Sequence, residues 1–225
     1  MTALIRRTAQ LALVAQVIFV GSFLIAATWQ GPGYDAMTQS MSDMYAVTAP
    51  NALFLVVAFT FCGLATVLFA GLSVWPTLRR AGWPAIAGAA LLALSIAGLG
   101  NLLSPFEQLA CRIADPGCTY ASQASNSGGA LDNNLSFLGI VLFAIAPFVV
   151  GEAFRRLPEW KAWAWPARFA GFIFIALFVI DTVVYAMNGP QGLFERLLAS
   201  WIAITIGVFA GRIATMREGV VSARG

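Results

Sequence analysis

Six long apolar stretches constrain the fold of this sequence more than any other feature. They cover approximately residues 9–29, 51–75, 84–104, 133–152, 166–187 and 194–213. The hydrocarbon core of a bilayer is about 30 Å thick, and a helix needs roughly 20 apolar residues to cross it. We therefore predict an all-α membrane protein, a single domain formed by a bundle of six transmembrane helices.

The composition supports lipid as the main solvent of the chain. Hydrophobic residues make up 60% of the sequence and charged residues 10%, whereas soluble domains average roughly 45–50% and about 25%. The first apolar stretch follows Arg6 and Arg7, as in a signal peptide. That stretch is long, and residues 26–29 form a poor cleavage site, so we expect it to be retained as a helix.

The basic residues predict the orientation of the bundle. Of the 13 lysines and arginines, all but Arg112 and Arg196 lie at the ends of the chain or in loops on one side. The positive-inside rule then places both termini in the cytoplasm. These residues lie beside apolar runs, which argues against nucleic-acid binding. They are Arg6, Arg7, Arg79, Arg80, Arg155, Arg156, Lys161, Arg168, Arg212, Arg217 and Arg224.

Histidine is absent from the sequence. Its absence excludes haem held by histidine, most zinc sites and catalytic triads that use a histidine base. We predict neither a metal nor a cofactor.

Two ladders of small residues, spaced four apart, indicate close helix packing. Such ladders let helix backbones approach each other in lipid. They pack the bundle itself or form a seam for a partner subunit. The residues are Ala85, Ala89, Ala93 and Ala97 in the third stretch, and Ala199, Ala203, Gly207 and Gly211 in the sixth.

Two loops are predicted on the outer side. In residues 31–50, Met37, Met41 and Met44 recur at helical spacing and indicate a short helix. In the second loop, Cys111 and Cys118 flank a Pro-Gly turn, and the non-cytoplasmic setting favours a structural disulfide. A redox pair is less favoured because no CxxC motif is present. The tract 119–130, rich in Ser, Gly and Asn, indicates a surface turn.

Asp181 lies within the fifth apolar stretch, about 9 Å from its outer end at 1.5 Å per residue. A carboxylate at that depth should face the bundle interior or a wet cavity. Three interpretations remain open: a structural pair with Tyr185 or Arg196, a substrate or proton site, and a protonated side chain without a role.

Further polar residues should gather near the outer leaflet, where they suggest an acidic vestibule that opens outward. Glu107 and Asn134 belong to this region, and one carboxylate with a raised pKa would serve there as an acid or base. No nucleophile with an activating base stands out, so the catalytic residues are unknown. The candidate binding residues are Asp43, Asn101, Asp132, Asn133, Asp181, Tyr185, Glu195 and Arg196.

Several short motifs of this chain point to a family resemblance. They are YDAMTQSMSDMYAVTAP (34–50), DPGC (115–118), the pair Arg155-Arg156 and GLFERLL (192–198). Together they resemble a bacterial membrane family called domain of unknown function 998. The resemblance covers most of the chain and implies the same six-helix plan, but no reaction. Members often carry a histidine near the start of the fourth helix, where this chain reads LDNNLSF (131–137). If that histidine matters in relatives, this protein has lost or altered the activity.

We expect the bundle to lie in a bacterial cytoplasmic membrane, and two hypotheses for its function follow. The first is that the protein binds or processes a lipid or small amphiphile at the outer-leaflet vestibule; whether it is an enzyme is left open. The second is a non-catalytic accessory subunit of a respiratory, photosynthetic or biosynthetic membrane complex, joined through the small-residue seams. A transporter is less favoured, because the six helices show no clear internal repeat and we expect no half-helix break at the midplane.

Overall fold

The computed structural model describes residues 2–187 and 189–216. Met1, Asn188 and the segment 217–225 lie outside the described residues, and with them the predicted cytoplasmic Arg217 and Arg224.

Six helices in the described residues are long and apolar enough to cross a membrane, which confirms the predicted fold class. No strand occurs within residues 2–187 and 189–216. The α-helical parts are α1 (Ala3–Ala26), α2 (Ala52–Phe69), α3 (Trp83–Leu94), α4 (Ser127–Arg156), α5 (Ala164–Ala186) and α6 (Gln191–Thr215).

The helices pack as a closed ring. Helix α1 lies against both α2 and α6, α3 packs on α4, and α5 lies between α4 and α6. The segment that follows α3 completes the ring because it packs against α2. The ring leaves α5 the least buried span, with 11% of its most apolar window inside the bundle. Every span contributes buried residues to at least one of two apolar clusters, and α1, α2 and α6 contribute to both.

The bundle has two chemically different ends. The predicted cytoplasmic basic residues that are described, from Arg6 to Arg212, lie at what we call the basic end. The segment 30–51 and the loop 101–126 lie at the other end, which we call the cap end. Which membrane side each end faces stays a prediction.

The third span is broken. Helix α3 stops at Leu94, Ser95 is extended with a ψ of 174°, and a π-helical turn follows at Ile96–Gly100. Glycines of both neighbouring helices pack closely against the backbone at this break. A Cβ at Gly63 of α2 would lie 2.2 Å from the backbone nitrogen of Leu102, and a Cβ at Gly139 of α4 would lie 2.6 Å from that of Ile96. Ser95 lies near the middle of the predicted stretch 84–104, so the expectation of no half-helix break at the midplane is wrong.

Helix α4 begins earlier than predicted. The side chain of Asn126 caps it by accepting a hydrogen bond from the backbone N–H of Gly129 at 2.7 Å. Gly128 packs so closely that an added Cβ would lie 2.4 Å from the carbonyl oxygen of Gln108. Residues Tyr120–Gln123 form a further short helix. The interpretation of residues 119–130 as a surface turn is therefore wrong, since their glycines provide close packing.

The predicted small-residue ladders lie mostly between helices of this chain. Ala85, Ala89 and Ala97 are buried, as are Ala199 and Ala203. Binding of a partner subunit through these ladders stays a prediction. Of the remaining members, Ala93 and Gly211 are partly exposed, and Gly207 is buried beside Leu13.

Candidate polar cavity beneath the cap

Arg196 anchors the segment 30–51 to α6. Its Nη1 donates hydrogen bonds to the carbonyl oxygens of Ala36 at 2.7 Å and Gln39 at 3.1 Å. Its Nη2 donates to the hydroxyl of Tyr34, whose pKa is raised to about 12 by burial. The backbone N–H of Leu193 also donates to the carbonyl of Met37 at 3.0 Å. These contacts fold the segment across the end of the bundle as a cap.

Asp43 joins this cap to the second loop. Its Oδ1 accepts hydrogen bonds from the backbone N–H of Ile113 at 2.9 Å and from Nε2 of Gln123 at 2.6 Å. Its Oδ2 accepts one from the hydroxyl of Ser40 at 3.2 Å. The side chain is almost fully buried, and burial raises its pKa despite these bonds. Asp43 therefore has a structural role, since its carboxylate holds the two loops together.

The second loop is closed by a disulfide between Cys111 and Cys118, as predicted. Within it, Nη2 of Arg112 forms an ion pair with Asp115 at 2.6 Å. Nη1 of Arg112 donates to the carbonyl of Gln30 at 2.8 Å, which ties the loop to the end of the first span. Hydrogen bonds from Arg112 and from a threonine hydroxyl lower the pKa of Asp115. The two loops therefore form one folded layer.

The predicted short helix in the cap is a single 3-10 turn, Ser42–Tyr45. Met41 and Met44 are buried on its inner side, whereas Met37 is exposed. This turn forms the roof of a cavity of about 120 Å³.

The cavity changes character with depth. Near the cap its lining is polar, and deeper in the bundle it is apolar. On α6, for example, Glu195 lies one turn nearer the cap than Ala199 and two turns nearer than Ile202. The polar lining residues are Ser42, Tyr45, Asn101, Ser104, Glu107, Ser136 and Glu195, and the apolar ones include Phe19, Phe59, Ile96, Ile140, Leu198 and Ile202.

Glu107 is the least satisfied polar group of this lining. It is 2% exposed, and its Oε1 has no hydrogen-bond partner within the described part of the chain. Burial and, to a smaller extent, the nearby carboxyl of Asp132 together raise the pKa of Glu107 to about 8. A buried polar atom without a partner costs about 1–3 kcal/mol. Glu107 is therefore ready to accept a hydrogen bond from a bound molecule.

Two further carboxyl groups lie at or beside the cavity, and each has a hydrogen-bond partner. Oε2 of Glu195 accepts a hydrogen bond from the backbone N–H of Met41 at 2.9 Å. Oδ1 of Asp132 accepts one from the hydroxyl of Tyr45 at 3.0 Å. Tyr45 is buried, and burial together with the charge of Asp132 raises its pKa well above the usual value, so it remains a neutral donor.

The broken span forms one wall of the cavity. Ile96, Ala97, Gly100 and Asn101 line it from the π turn and the residue that follows it. The hydroxyl of Ser95 donates to the carbonyl of Leu92 at 2.8 Å and so satisfies one backbone acceptor at the break. Irregular backbone at membrane depth occurs where protein buries it or where it lines a polar cavity. The break and the cavity are thus parts of one feature.

The predicted candidate residues separate into several groups. Asn101 and Glu195 line the cavity, and Asp132 contacts its lining through Tyr45. Asp43 and Arg196 instead hold the cap in place. Their involvement in ligand binding stays a prediction.

The remaining candidates lie elsewhere. Asn133 is exposed, and the Tyr185 ring packs edge-on against that of Tyr120 at 5.9 Å. Oδ1 of Asp181 is buried without a hydrogen-bond partner among the described residues, so the structure shows no pair with Tyr185 or Arg196 there. Sequence reasoning missed Ser104 and Ser136, for which no pattern signalled a role.

Comparison with known proteins identifies one family. A family model described as "Protein of unknown function (DUF998)" matches residues 13–212. No curated protein matches the chain. No solved structure matches it either.

Proposed function

The chain belongs to the DUF998 family, whose description assigns no activity, and we propose that it binds a small amphiphile in the cavity beneath the cap. The head group, an ammonium or hydroxyl group, donates hydrogen bonds to the carboxyl groups of Glu107 and Glu195. The tail lies against the apolar lining deeper in the bundle. With the orientation predicted from the basic residues, the site lies in the outer leaflet.

The unpartnered Oε1 of Glu107 is the observation that carries this proposal. It is a buried acceptor on the wall of a cavity large enough for a ligand group. A ligand donor would satisfy it and recover the cost of its desolvation. The gradient of the lining, from polar to apolar with depth, matches a molecule that has one polar end.

The charges of the site favour a donor or cation over an anion. Among the described residues that line the cavity there is no lysine or arginine. The nearest guanidinium on α6, that of Arg196, is bonded to carbonyl groups of the cap. A bound ammonium group would stabilise the ionised forms of Glu107 and Glu195, whereas an anionic head group would oppose their ionisation.

Binding of octylamine to the protein in nanodiscs of neutral lipid tests the proposal, with octanoate as the anionic counterpart of equal chain length. We expect octylamine to raise the thermal unfolding midpoint and octanoate to leave it unchanged. Glu107→Gln should remove the octylamine effect. The matched control is Glu159→Gln, which alters an exposed carboxylate at the basic end. Equal shifts by both ligands, or an undiminished octylamine shift in Glu107→Gln, would contradict the proposal.

A further inference from the structure

A second cavity lies between α4, α5 and α6, nearer the basic end. Its volume is about 200 Å³. Its lining is almost wholly apolar and includes Phe143, Pro147, Phe154, Ala167 and Trp201. Close-packed interiors leave few voids larger than a water molecule. A space of this size among apolar side chains suits a hydrocarbon chain and offers little to a polar ligand.

Arg212 lies at the basic end of this cavity. Val208 and Phe209, one turn away on the same face of α6, line the cavity. The guanidinium of Arg212 lies over the rings of Trp160 and Trp163, 5.8 Å from each ring centre. Trp163 also lines the cavity. The two rings thus hold a cation directly beside an apolar space.

The guanidinium of Arg212 is only partly satisfied. Its Nε is buried and has no hydrogen-bond partner within residues 2–187 and 189–216. The carboxylate of Glu152, at the same end of the bundle, already binds Arg155, Arg156 and Arg168 at 2.8, 2.9 and 3.3 Å. This group of four therefore keeps an excess of positive charge, and it does not neutralise Arg212.

We propose that this site binds an anionic phospholipid of the surrounding bilayer, with one acyl chain in the cavity and the phosphate against Arg212. The charge of the site complements the phosphate, and guanidinium–phosphate hydrogen bonds are among the strong charge-assisted ones. The excess positive charge around Glu152 attracts a head group with net negative charge over a zwitterionic one. The lipid is distinct from the amphiphile proposed beneath the cap.

Native mass spectrometry of the full chain released from nanodiscs tests this site. The nanodiscs contain equal amounts of phosphatidylglycerol and phosphatidylcholine, and the retained lipid is counted by mass. Arg212→Gln removes the charge, and Arg80→Gln, at an exposed position of the same end, is the matched control. Ala167→Phe fills the cavity, and Ala176→Phe, on the exposed face of the same helix, controls for added bulk.

We expect one phosphatidylglycerol to be retained preferentially by the unchanged protein and by both controls. Arg212→Gln should lower that retention about tenfold, as expected for the loss of about 1.4 kcal/mol, and Ala167→Phe should lower it comparably. Equal losses in Arg212→Gln and Arg80→Gln would indicate only a general attraction to charge and would overturn the proposal. Full retention in Ala167→Phe, or displacement of the lipid by inorganic phosphate alone, would overturn it as well.

Discussion

Replacement of Arg196 by methionine should open the cap without unfolding the bundle. Arg196 is 9% exposed and donates to the carbonyl groups of Ala36 and Gln39. Hydrogen bonds from a charged donor contribute about 1.5–3 kcal/mol each, so losing these two costs about 3–6 kcal/mol. Methionine keeps the apolar stem in place. Because both lost bonds end in the cap, the cost falls on local opening of the cap.

Hydrogen exchange measured by mass spectrometry on residues 34–45, with the protein in nanodiscs, reports this opening. Each 1.4 kcal/mol is a factor of ten, so exchange of the protected amide groups should accelerate at least about 100-fold. The backbone N–H of Met41, bonded to Glu195, is one such group. Arg155→Met, which alters an exposed ion pair at the basic end, should leave this segment unchanged. An acceleration under about threefold, or an equal one in both variants, would refute the reasoning.

Three further predictions concern stability. Gly63→Ala should lower the free energy of unfolding by about 1–3 kcal/mol, because the added methyl group forces α2 away from the broken span. Gly71→Ala is the control and should change the free energy little, since nothing lies within 4 Å of its added Cβ. Equal effects of the two substitutions on thermal unfolding would contradict the close approach at Gly63. Replacing Cys111 and Cys118 by serine should lower the free energy of unfolding by about 2.5 kcal/mol, because the short loop is no longer closed. Faster amide hydrogen exchange confined to residues 104–126 would show this loss, and unchanged exchange there would contradict it. The pKa of Glu107 is raised from 4.5 to about 8, so the contribution of this carboxyl group to stability should be complete below pH 4.5 and be lost as the pH rises through 8. Stability should therefore fall less over this range in Glu107→Gln; the same pH dependence of unfolding in both proteins would contradict the assigned role of Glu107.

The fold class could be predicted from the long apolar stretches, which recur along the whole chain. A helix satisfies all its backbone groups within one segment and needs about 20 apolar residues to span a bilayer, so six helices were predictable from the length and composition of these stretches. The disulfide followed from two cysteines flanking a turn in a loop. Both predictions depended on local sequence, and both were confirmed.

The break in the third span was not predictable in the same way. Residues 92–100 contain no proline, and the backbone that follows the extended Ser95 is approached closely by Gly63 and Gly139 of the neighbouring helices. The division of the polar residues into structural and ligand-binding groups could not be predicted from the sequence either. Asp43 and Glu107 are both acidic residues of the cap end, yet Asp43 has its carboxylate bonded to both loops, and Glu107 keeps an unpartnered oxygen. Only the tertiary contacts distinguish a carboxylate that holds loops together from one that is free to bind a ligand.

Native mass spectrometry of the protein, gently extracted from its own membrane, tests the central claim most directly. We predict a bound amphiphile of defined mass with an ammonium or hydroxyl head group on the unchanged protein. The adduct should be lost from Glu107→Gln and kept by Glu159→Gln. An adduct that persists in Glu107→Gln, or a protein that carries no such molecule, would contradict the account of the cavity beneath the cap.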